Sequence, residues 1–258
     1  MDEARLFELM VDLHRGGARQ GPGSNEETLR ALALTRLDPQ APLAVADIGC
    51  GTGASTLALA RALPRAQFTA VDLFDAFLDI LMERSRSAGL AERIRPMSAS
   101  MDALSLEPGS LDLIWSEGAV YNMGFQAGIA AWRPLLKPGG VLAVSEITWL
   151  RPDPPEPIRA HWEGEYPEIA PAGEKIRVLE NQGYDLLGYL TLPPAAWITN
   201  YYEPTAGRLP AFLAAHPDEP EAAELVAMEQ EEAELYRRYQ DWFSYGFYVA
   251  RRRDVTEA

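Results

Sequence analysis

The chain has 258 residues, of which 47% are hydrophobic, and this length is sufficient for one α/β domain with insertions. The formal net charge of −15 opposes binding to nucleic-acid backbones and to anionic membrane surfaces, because like charges repel. Cys50 is the only cysteine, which excludes an intramolecular disulfide and a cysteine-based metal cluster and fits a reducing compartment.

The amino-terminal residues lack the basic and then apolar order of a secretory signal, and no apolar stretch approaches membrane-spanning length. We therefore expect a cytoplasmic protein with no membrane span and no nucleic-acid partner. A homodimer remains open as an assembly. No cluster of histidines or carboxylates indicates a metal, so no metal site is predicted.

Two helices are predicted at the start of the chain. Residues 4–15 carry leucine and methionine at helical spacing, and two glycines follow them. Ser24 and Glu27 form a capping box, which predicts a second helix that runs to about Arg36. His14 lies on the first helix and is a candidate base for a substrate proton, although a structural role is the alternative.

A glycine-rich turn follows the first predicted strand. An apolar run ends in Asp47, and then Gly49, Gly51 and Gly53 precede a helix-forming stretch. Glycines permit positive φ angles and let a ligand approach the backbone without meeting a Cβ atom. The order strand, turn, helix therefore predicts a binding site at this turn.

The next predicted strand also ends in a carboxylate, Asp72, about twenty residues beyond the glycines. An acid at this place accepts hydrogen bonds from ribose hydroxyls, which dinucleotides and S-adenosylmethionine both carry. Asp47 favours the second ligand, because a carboxylate beside the turn would attract an ammonium group and repel a pyrophosphate. The spacing of Gly49, Gly51 and Ala54 nevertheless satisfies the looser dinucleotide fingerprint.

Five stretches of the chain, in order, resemble the motifs of the class I S-adenosylmethionine-dependent methyltransferases. They are residues 45–53, Asp72, residues 100–102, residues 111–117 and residues 136–140. Within this class the chain is most similar to small-molecule methyltransferases related to those of ubiquinone and menaquinone biosynthesis. The resemblance implies an α/β fold with a Rossmann-like, doubly wound sheet of seven mostly parallel strands and helices on both faces. It also implies that the amino-terminal helices and helical insertions form a lid.

The resemblance further implies which residues bind the cofactor. Asp102 would meet the adenine amino group, with an ordinary turn aspartate as the alternative. The loop at Ser24 could touch the methionine part of the ligand, or it could be a plain connection between helices. The full predicted set is Ser24, Asp47, Gly49, Gly51, Gly53, Asp72, Leu73, Met101, Asp102 and Ser116.

The fourth predicted strand, residues 111–115, is nearly all apolar, as expected at the centre of a sheet that is covered on both faces. It leads to the carboxyl edge of the sheet, where open α/β sheets bind ligands. Glu117 is the acid predicted to lie near the sulfonium or to receive a substrate proton, with helix capping as the alternative. Tyr121 and Asn122 are predicted to line the acceptor pocket. Pro96 in the preceding strand predicts an edge position.

The later part of the chain is predicted to contain two insertions, residues 151–172 and 193–241, that lie over the acceptor site. Their aromatic side chains could form an apolar pocket whose rings also face the sulfonium, or they could complete the core. The five candidates are Trp149, Trp162, Trp197, Tyr201 and Tyr202. A helix is predicted at 173–182, a strand at 184–192, a long helix at 221–242 and a final strand at 247–251.

The whole chain is expected to form a single methyltransferase domain, with residues 1–40 as a helical cover and 43–150 as the cofactor-binding core. The expected activity is transfer of a methyl group from S-adenosylmethionine to a small-molecule acceptor by in-line displacement, with S-adenosylhomocysteine as product. A nicotinamide-dependent oxidoreductase and a non-catalytic S-adenosylmethionine-binding protein are the alternatives.

Overall fold

The computed structural model describes residues 3–253, so the predicted domain limits at residues 1 and 258 lie outside the described range. The strands are β1 (Ala44–Ile48), β2 (Gln67–Asp72), β3 (Ile94–Ser98), β4 (Leu111–Glu117), β5 (Leu136–Trp149), β6 (Ala170–Pro171), β7 (Tyr184–Thr191) and β8 (Phe243–Arg252). The helices are α1 (Glu3–Arg15), α2 (Asn25–Leu34), α3 (Ala54–Ala62), α4 (Asp75–Ser87), α5 (Phe125–Trp132), α6 (Glu156–Glu165), α7 (Ala172–Asn181), α8 (Pro194–Trp197), α9 (Glu203–Ala215) and α10 (Pro220–Tyr239). A π-helix, Ile198–Tyr202, joins α8 to α9.

The strands form one sheet in the order β3-β2-β1-β4-β5-β8-β7, and the two-residue strand β6 pairs with β5 outside this order. Strand β8 runs antiparallel to both of its neighbours, β5 and β7, and the other strand pairs within residues 3–253 are parallel. The chain runs outward from β1 to β3 and then crosses to β4 on the other side of β1. A topological switch point therefore lies between the carboxyl ends of β1 and β4, where ligands bind in folds of this kind. The predicted Rossmann-like sheet of seven mostly parallel strands is confirmed, with β6 as an addition.

Strand β4 occupies the centre of the sheet, as its apolar sequence predicts. Alternate residues of a strand point to opposite faces. Leu113 and Trp115 accordingly pack beneath α2, α3 and α4, whereas Ile114 packs beneath α5 and α7, and all three side chains are buried. Strand β3 lies at the edge of the sheet, which agrees with the prediction drawn from Pro96.

The second helix begins where the capping box places it. The Ser24 hydroxyl accepts hydrogen bonds from the backbone N–H groups of Glu26 and Glu27. These contacts satisfy donors that have no partner inside the helix. The helix ends at Leu34, two residues before the predicted limit, and Arg36 has a positive φ of 56°.

Helices from both ends of the sequence form a cover over the carboxyl edge of the sheet. We define the helical cover as α1, the π-helix, α9 and α10. Leu9 and Leu13 of α1 pack with Phe212 of α9 and Leu225 of α10 in one buried cluster. Helix α2, which was predicted to belong to this cover, packs instead against α3 and β7 on one face of the sheet.

Within residues 3–253, no helix is both long enough and apolar enough to cross a membrane.

Candidate functional site

A cavity of about 500 Å³ lies between the carboxyl edge of the sheet and the helical cover. Its floor comes from the turns after β1, β2 and β4, and its roof comes from α1, the π-helix and α10. The loop at residues 19–22 forms a further wall. The cavity therefore occupies the switch point of the sheet.

The glycine turn after β1 is shaped by neighbouring protein atoms as much as by a ligand. Gly49 has φ 74°, and a Cβ atom there would lie 2.4 Å from Cβ of Ala119. Gly51 has φ 54°, and a Cβ atom there would lie 2.3 Å from Oε1 of Gln20. The Gln20 Oε1 atom accepts a hydrogen bond from the backbone N–H of Thr52 at 2.8 Å. The glycines thus let the amino-terminal loop and the turn after β4 approach the backbone, and Gly49 and Gly51 also line the cavity.

Asp47 lies beneath the glycine turn and does not line the cavity. It is completely buried, and its Oδ2 atom accepts hydrogen bonds from the hydroxyls of Ser55 at 2.7 Å and Thr56 at 2.6 Å. Its Oδ1 atom has no hydrogen-bond donor among the described residues. Burial raises the pKa of Asp47 to about 7. Asp47 therefore connects β1 to the first turn of α3, a role that differs from the predicted contact with a ligand ammonium group.

Replacing Asp47 with asparagine is expected to change the pH dependence of stability. The raised pKa means that the folded state binds this proton more tightly than the unfolded state, so the Asp47 contribution to stability decreases as pH rises from about 4 to about 7. The D47N variant lacks this contribution. The difference in free energy of unfolding between D47N and the parent protein should therefore shift in favour of D47N by ~2–3 kcal/mol when the pH is raised from 5 to 8. Urea denaturation at both pH values measures the difference, and a difference that does not change with pH would contradict the buried, protonated state.

Asp72 ends β2 and lines the cavity, as predicted. Its Oδ2 atom accepts a hydrogen bond from the backbone N–H of Gly51 at 2.8 Å, and its Oδ1 atom accepts one from Phe74 at 3.0 Å. Burial raises the pKa of this carboxyl group. Asp72 thus holds the glycine turn and the loop after β2 in place at the cavity wall.

Three other residues of the predicted cofactor set also line the cavity: Leu73, Met101 and Asp102. The Asp102 carboxylate accepts a hydrogen bond from the hydroxyl of Ser100 at 2.5 Å. The carbonyl of Met101 accepts one from the indole N–H of Trp132 at 2.9 Å, which ties the turn after β3 to α5. This turn is therefore held in position before any ligand binds.

The remaining members of the predicted cofactor set, Ser24, Gly53 and Ser116, do not line the cavity. Ser24 caps α2. Gly53 precedes α3 with φ 87°, and a Cβ atom there would lie 2.0 Å from Cδ1 of Leu81. The Ser116 side chain is completely buried. The structure thus gives Ser24 and Gly53 local roles in the fold, and the Ser116 hydroxyl has no hydrogen-bond partner among the described residues.

Glu117 lies at the tip of β4 and lines the cavity, but its carboxylate is already engaged. Oε2 accepts a hydrogen bond from Nη1 of Arg19 at 2.6 Å, in an ion pair whose side chains are only 11% and 12% exposed. Oε1 accepts hydrogen bonds from the hydroxyl of Thr28 at 2.6 Å and from the indole N–H of Trp115 at 2.9 Å. Glu117 therefore attaches the amino-terminal segment to the sheet, and a role as base would require this ion pair to open.

His14 lines the cavity from α1, and its imidazole has one polar partner among the described residues. Its Nε2 atom lies 2.9 Å from Oε1 of Glu229 on α10, and both side chains are about nine-tenths buried. The imidazole stacks on the ring of Tyr201 with 6.1 Å between centroids. His14 is thus oriented at the cavity wall by a carboxylate and an aromatic ring.

The predicted acceptor-pocket residues fall into two groups. Tyr121, Asn122 and Tyr201 line the cavity. The other four, Trp149, Trp162, Trp197 and Tyr202, belong to an aromatic cluster of the core and do not line it. Trp197, for example, stacks on Tyr236 at 4.4 Å between centroids and donates its indole N–H to the Ser244 hydroxyl. The alternative of core packing therefore describes these four residues.

Several cavity residues carried no recognised signal in the sequence. Arg19 and Gln20 lie in the loop between α1 and α2, where the sequence indicates no ligand contact. Glu229 and Glu232 lie three residues apart on a helix whose sequence contains many other acidic residues. Nothing in the local sequence distinguishes these two carboxylates from the other acidic residues of α10, because their place at the cavity wall depends on contacts with α1 and the π-helix.

Residues 45–140 match the sequence profile of a family described as a methyltransferase domain. This segment of the chain is similar to a methyltransferase domain. The domain runs from β1 to the first residues of β5, and it carries the glycine turn, Asp72, Asp102 and Glu117. The cavity residues His14, Arg19, Glu229 and Glu232 lie outside it.

The chain is similar in sequence to proteins named as methyltransferases. The chain is 32% identical over 148 residues to a release factor glutamine methyltransferase of Moorella thermoacetica, with coverage of 48% of this chain and 52% of the relative. It is 29% identical over 181 residues to a trans-aconitate 2-methyltransferase of Paracidovorax citrulli, with coverage of 67% and 66%. The chain thus spans about half of one relative and about two thirds of the other.

The fold extends beyond the methyltransferase domain to nearly the whole chain of a solved structure. A methyltransferase from Geobacter sulfurreducens, crystallised with S-adenosyl-L-homocysteine, superposes with a TM-score of 0.81. The two chains are 21% identical, and the superposition covers 96% of this chain and 98% of the other. The helices outside residues 45–140 therefore belong to a shared architecture.

Proposed function

We propose that this protein transfers a methyl group from S-adenosylmethionine to a small-molecule acceptor. The observation that carries the proposal is the position of Asp72. Its carboxylate lies at the cavity wall, at the tip of β2, and is bonded to the glycine turn of a methyltransferase domain. The Geobacter sulfurreducens structure with the same architecture contains the demethylated form of this cofactor, which supports the choice of ligand.

The residues at the cavity fit this cofactor. Asp72 would accept hydrogen bonds from ribose hydroxyls, and Asp102 would receive the adenine amino group. Gly49 and Gly51 present bare backbone to the cavity next to Asp72. The carboxylates of the cavity wall suit a ligand that carries a sulfonium and an ammonium group. Asp47 does not face the cavity, so it would support the site through α3 instead of binding the ligand.

When bound, S-adenosylmethionine supplies an electrophilic methyl group. The contribution of the protein is to align the acceptor and to exclude water, which is worth several kcal/mol when the reacting groups are held in an attack geometry. Tyr121 and Tyr201 contribute aromatic surface to the cavity, and His14 with Glu229 and Glu232 contributes polar groups from the cover. We propose that these five residues bound the acceptor site.

The same proposal assigns functions to parts of the chain. Residues 43–150 would bind the cofactor, and residues 1–40 would cover it chiefly through α1 and the loop at 19–22. The segment 193–241 would contribute the acceptor site through the π-helix and α10. The low cysteine content supports a cytoplasmic location, and the net charge of −15 argues against a nucleic-acid substrate.

Calorimetric titration with S-adenosylmethionine and, separately, with NADPH tests the proposal. We expect S-adenosylmethionine to bind and NADPH not to bind. D72A should weaken binding of S-adenosylmethionine at least about tenfold, because hydrogen bonds to a charged carboxylate are lost. D79A is the matched control, since Asp79 is an exposed aspartate of α4 that does not line the cavity. Binding of NADPH alone would contradict the proposal and favour an oxidoreductase.

A further inference from the structure

Two carboxylate side chains of α10 lie at the cavity wall. Glu229 and Glu232 are one helical turn apart and both line the cavity. Among residues 3–253, neither forms an ion pair with a lysine or an arginine. The cover therefore places two acidic side chains beside the cavity, and the described partner of Glu229 there is the His14 imidazole.

The Glu229 side chain is only 10% exposed, and its two oxygens differ. Oε1 contacts Nε2 of His14, whereas Oε2 is buried and has no hydrogen-bond partner within the described part of the chain. Nδ1 of His14 is also buried and without a partner in that part. Leaving a buried carboxylate oxygen without a donor is unfavourable, so Glu229 keeps unsatisfied hydrogen-bonding capacity next to the cavity.

Glu232 is the more accessible of the two carboxylates. It is exposed and lines the cavity, and its Oε1 atom accepts a hydrogen bond from the hydroxyl of Tyr202 at 2.9 Å. Although the residue as a whole is exposed, desolvation of its carboxyl group at the cavity wall raises the pKa of Glu232, and the nearby Glu229 raises it further, whereas the Tyr202 hydroxyl and His14 oppose this rise. A bound cation would favour its ionised form.

Aromatic rings and other charged groups complete the surroundings of the two carboxylates. Tyr121 is 42% exposed and lines the cavity together with Tyr201. Such rings attract cations through their π faces. Arg208 of α9 interacts electrostatically with Glu229, but its hydrogen bonds go to the Pro204 carbonyl and the Thr205 hydroxyl. Arg19, the arginine that lines the cavity, is paired with Glu117.

We propose that Glu229 and Glu232, together with the rings of Tyr121 and Tyr201, form a binding site for the ammonium group of a small aliphatic amine. Given the methyltransferase activity proposed above, on which this step rests, the amine is the methyl acceptor: its ammonium group gives up a proton to Glu229 or Glu232. The freed nitrogen lone pair then forms the N–C bond as the S–CH3 bond of S-adenosylmethionine breaks, and S-adenosylhomocysteine leaves. A bound ammonium group would offset the negative charge of the two carboxylates, and the rings would shield it from water. An anionic acceptor would be repelled by the same two groups.

Saturation-transfer NMR titration with two probes of equal shape tests this site. Choline carries a permanent positive charge, and 3,3-dimethyl-1-butanol is its neutral isostere. We expect choline to bind at least about tenfold more tightly than the alcohol, both without and with saturating S-adenosylmethionine. E232Q should abolish most of this preference, and E229Q with E232Q should abolish it completely. E231Q is the matched control, since Glu231 is exposed on the same helix and does not line the cavity.

Each outcome of this titration has a distinct meaning. Equal affinity for choline and the alcohol would overturn the proposal. Mutual exclusion of choline and S-adenosylmethionine, together with weaker cofactor binding in E232Q, would also overturn it, because the carboxylates would then bind the ammonium group of the cofactor. A preference for choline in a protein that fails to bind S-adenosylmethionine would support the amine site while removing the proposed methyltransferase function. Thermal unfolding of each variant confirms that it is folded.

Discussion

Replacement of Arg19 by alanine is expected to reduce the free energy of unfolding by about 3 kcal/mol. The Arg19 side chain is 11% exposed, and its loss leaves the Glu117 carboxylate, 12% exposed, without its ion-pair partner. Removing one member of a buried ion pair typically destabilises a protein by about 3–5 kcal/mol, and partial contact with the cavity favours the lower end. The same change releases the loop at residues 19–22 from the sheet, so binding of S-adenosylmethionine should weaken as well.

Urea denaturation and calorimetry measure these two effects. R15A is the matched control, because Arg15 forms an exposed ion pair with Asp12 and its loss should cost less than about 1 kcal/mol. The double variant R19M/E117Q removes both charges and should recover part of the stability lost in R19A. A loss in R19A no larger than that in R15A would show that the Arg19–Glu117 pair does not hold the amino-terminal segment.

Replacement of Gly49 by alanine is expected to destabilise the protein by about 2–5 kcal/mol, for two separable reasons. The residue has φ 74°, a conformation that costs an L-residue about 1–2 kcal/mol. The new Cβ atom would also lie 2.4 Å from Cβ of Ala119, which is buried and forms part of the cavity wall. Overpacking of this kind adds about 1–3 kcal/mol.

Two further variants separate the two contributions. Gly109 has φ 66°, and a Cβ atom there would meet nothing within 4 Å, so G109A reports the backbone contribution alone. G49A/A119G removes the steric contact, and it should be more stable than G49A if the contact with Ala119 is the second cause. Urea denaturation gives all three values. A loss in G49A equal to that in G109A would contradict the close packing of the glycine turn against the residues after β4.

The order and type of the main elements could be predicted from the sequence because each depends on local pattern. The apolar run of β4 predicts a central strand, Pro96 predicts an edge strand, and the capping box at Ser24 predicts the start of α2 within one residue. Asp72 could be placed at the cavity for a similar reason, since a residue that ends a parallel strand lies at the ligand-binding edge.

The interior of the site could not be predicted because it depends on contacts between distant segments. Asp47 and Glu117 are both acids at strand ends, and only the structure shows that hydroxyls of α3 bind the first and that Arg19 binds the second. Trp197 is aromatic and lies in an insertion, as an acceptor-pocket residue would, yet its ring is covered by Tyr236. Glu229 belongs to the site because α10 returns over α1, about two hundred residues earlier in the chain.

Amide hydrogen exchange, measured with and without S-adenosylmethionine, tests whether the cavity at the carboxyl edge of β1, β2 and β4 binds this compound. With S-adenosylmethionine, we expect slower exchange in three segments at the cavity, residues 49–53, 72–77 and 99–102. NADPH should produce no such change. Exchange rates that are unchanged by S-adenosylmethionine, or protection confined to segments outside the cavity wall, would contradict binding at this cavity.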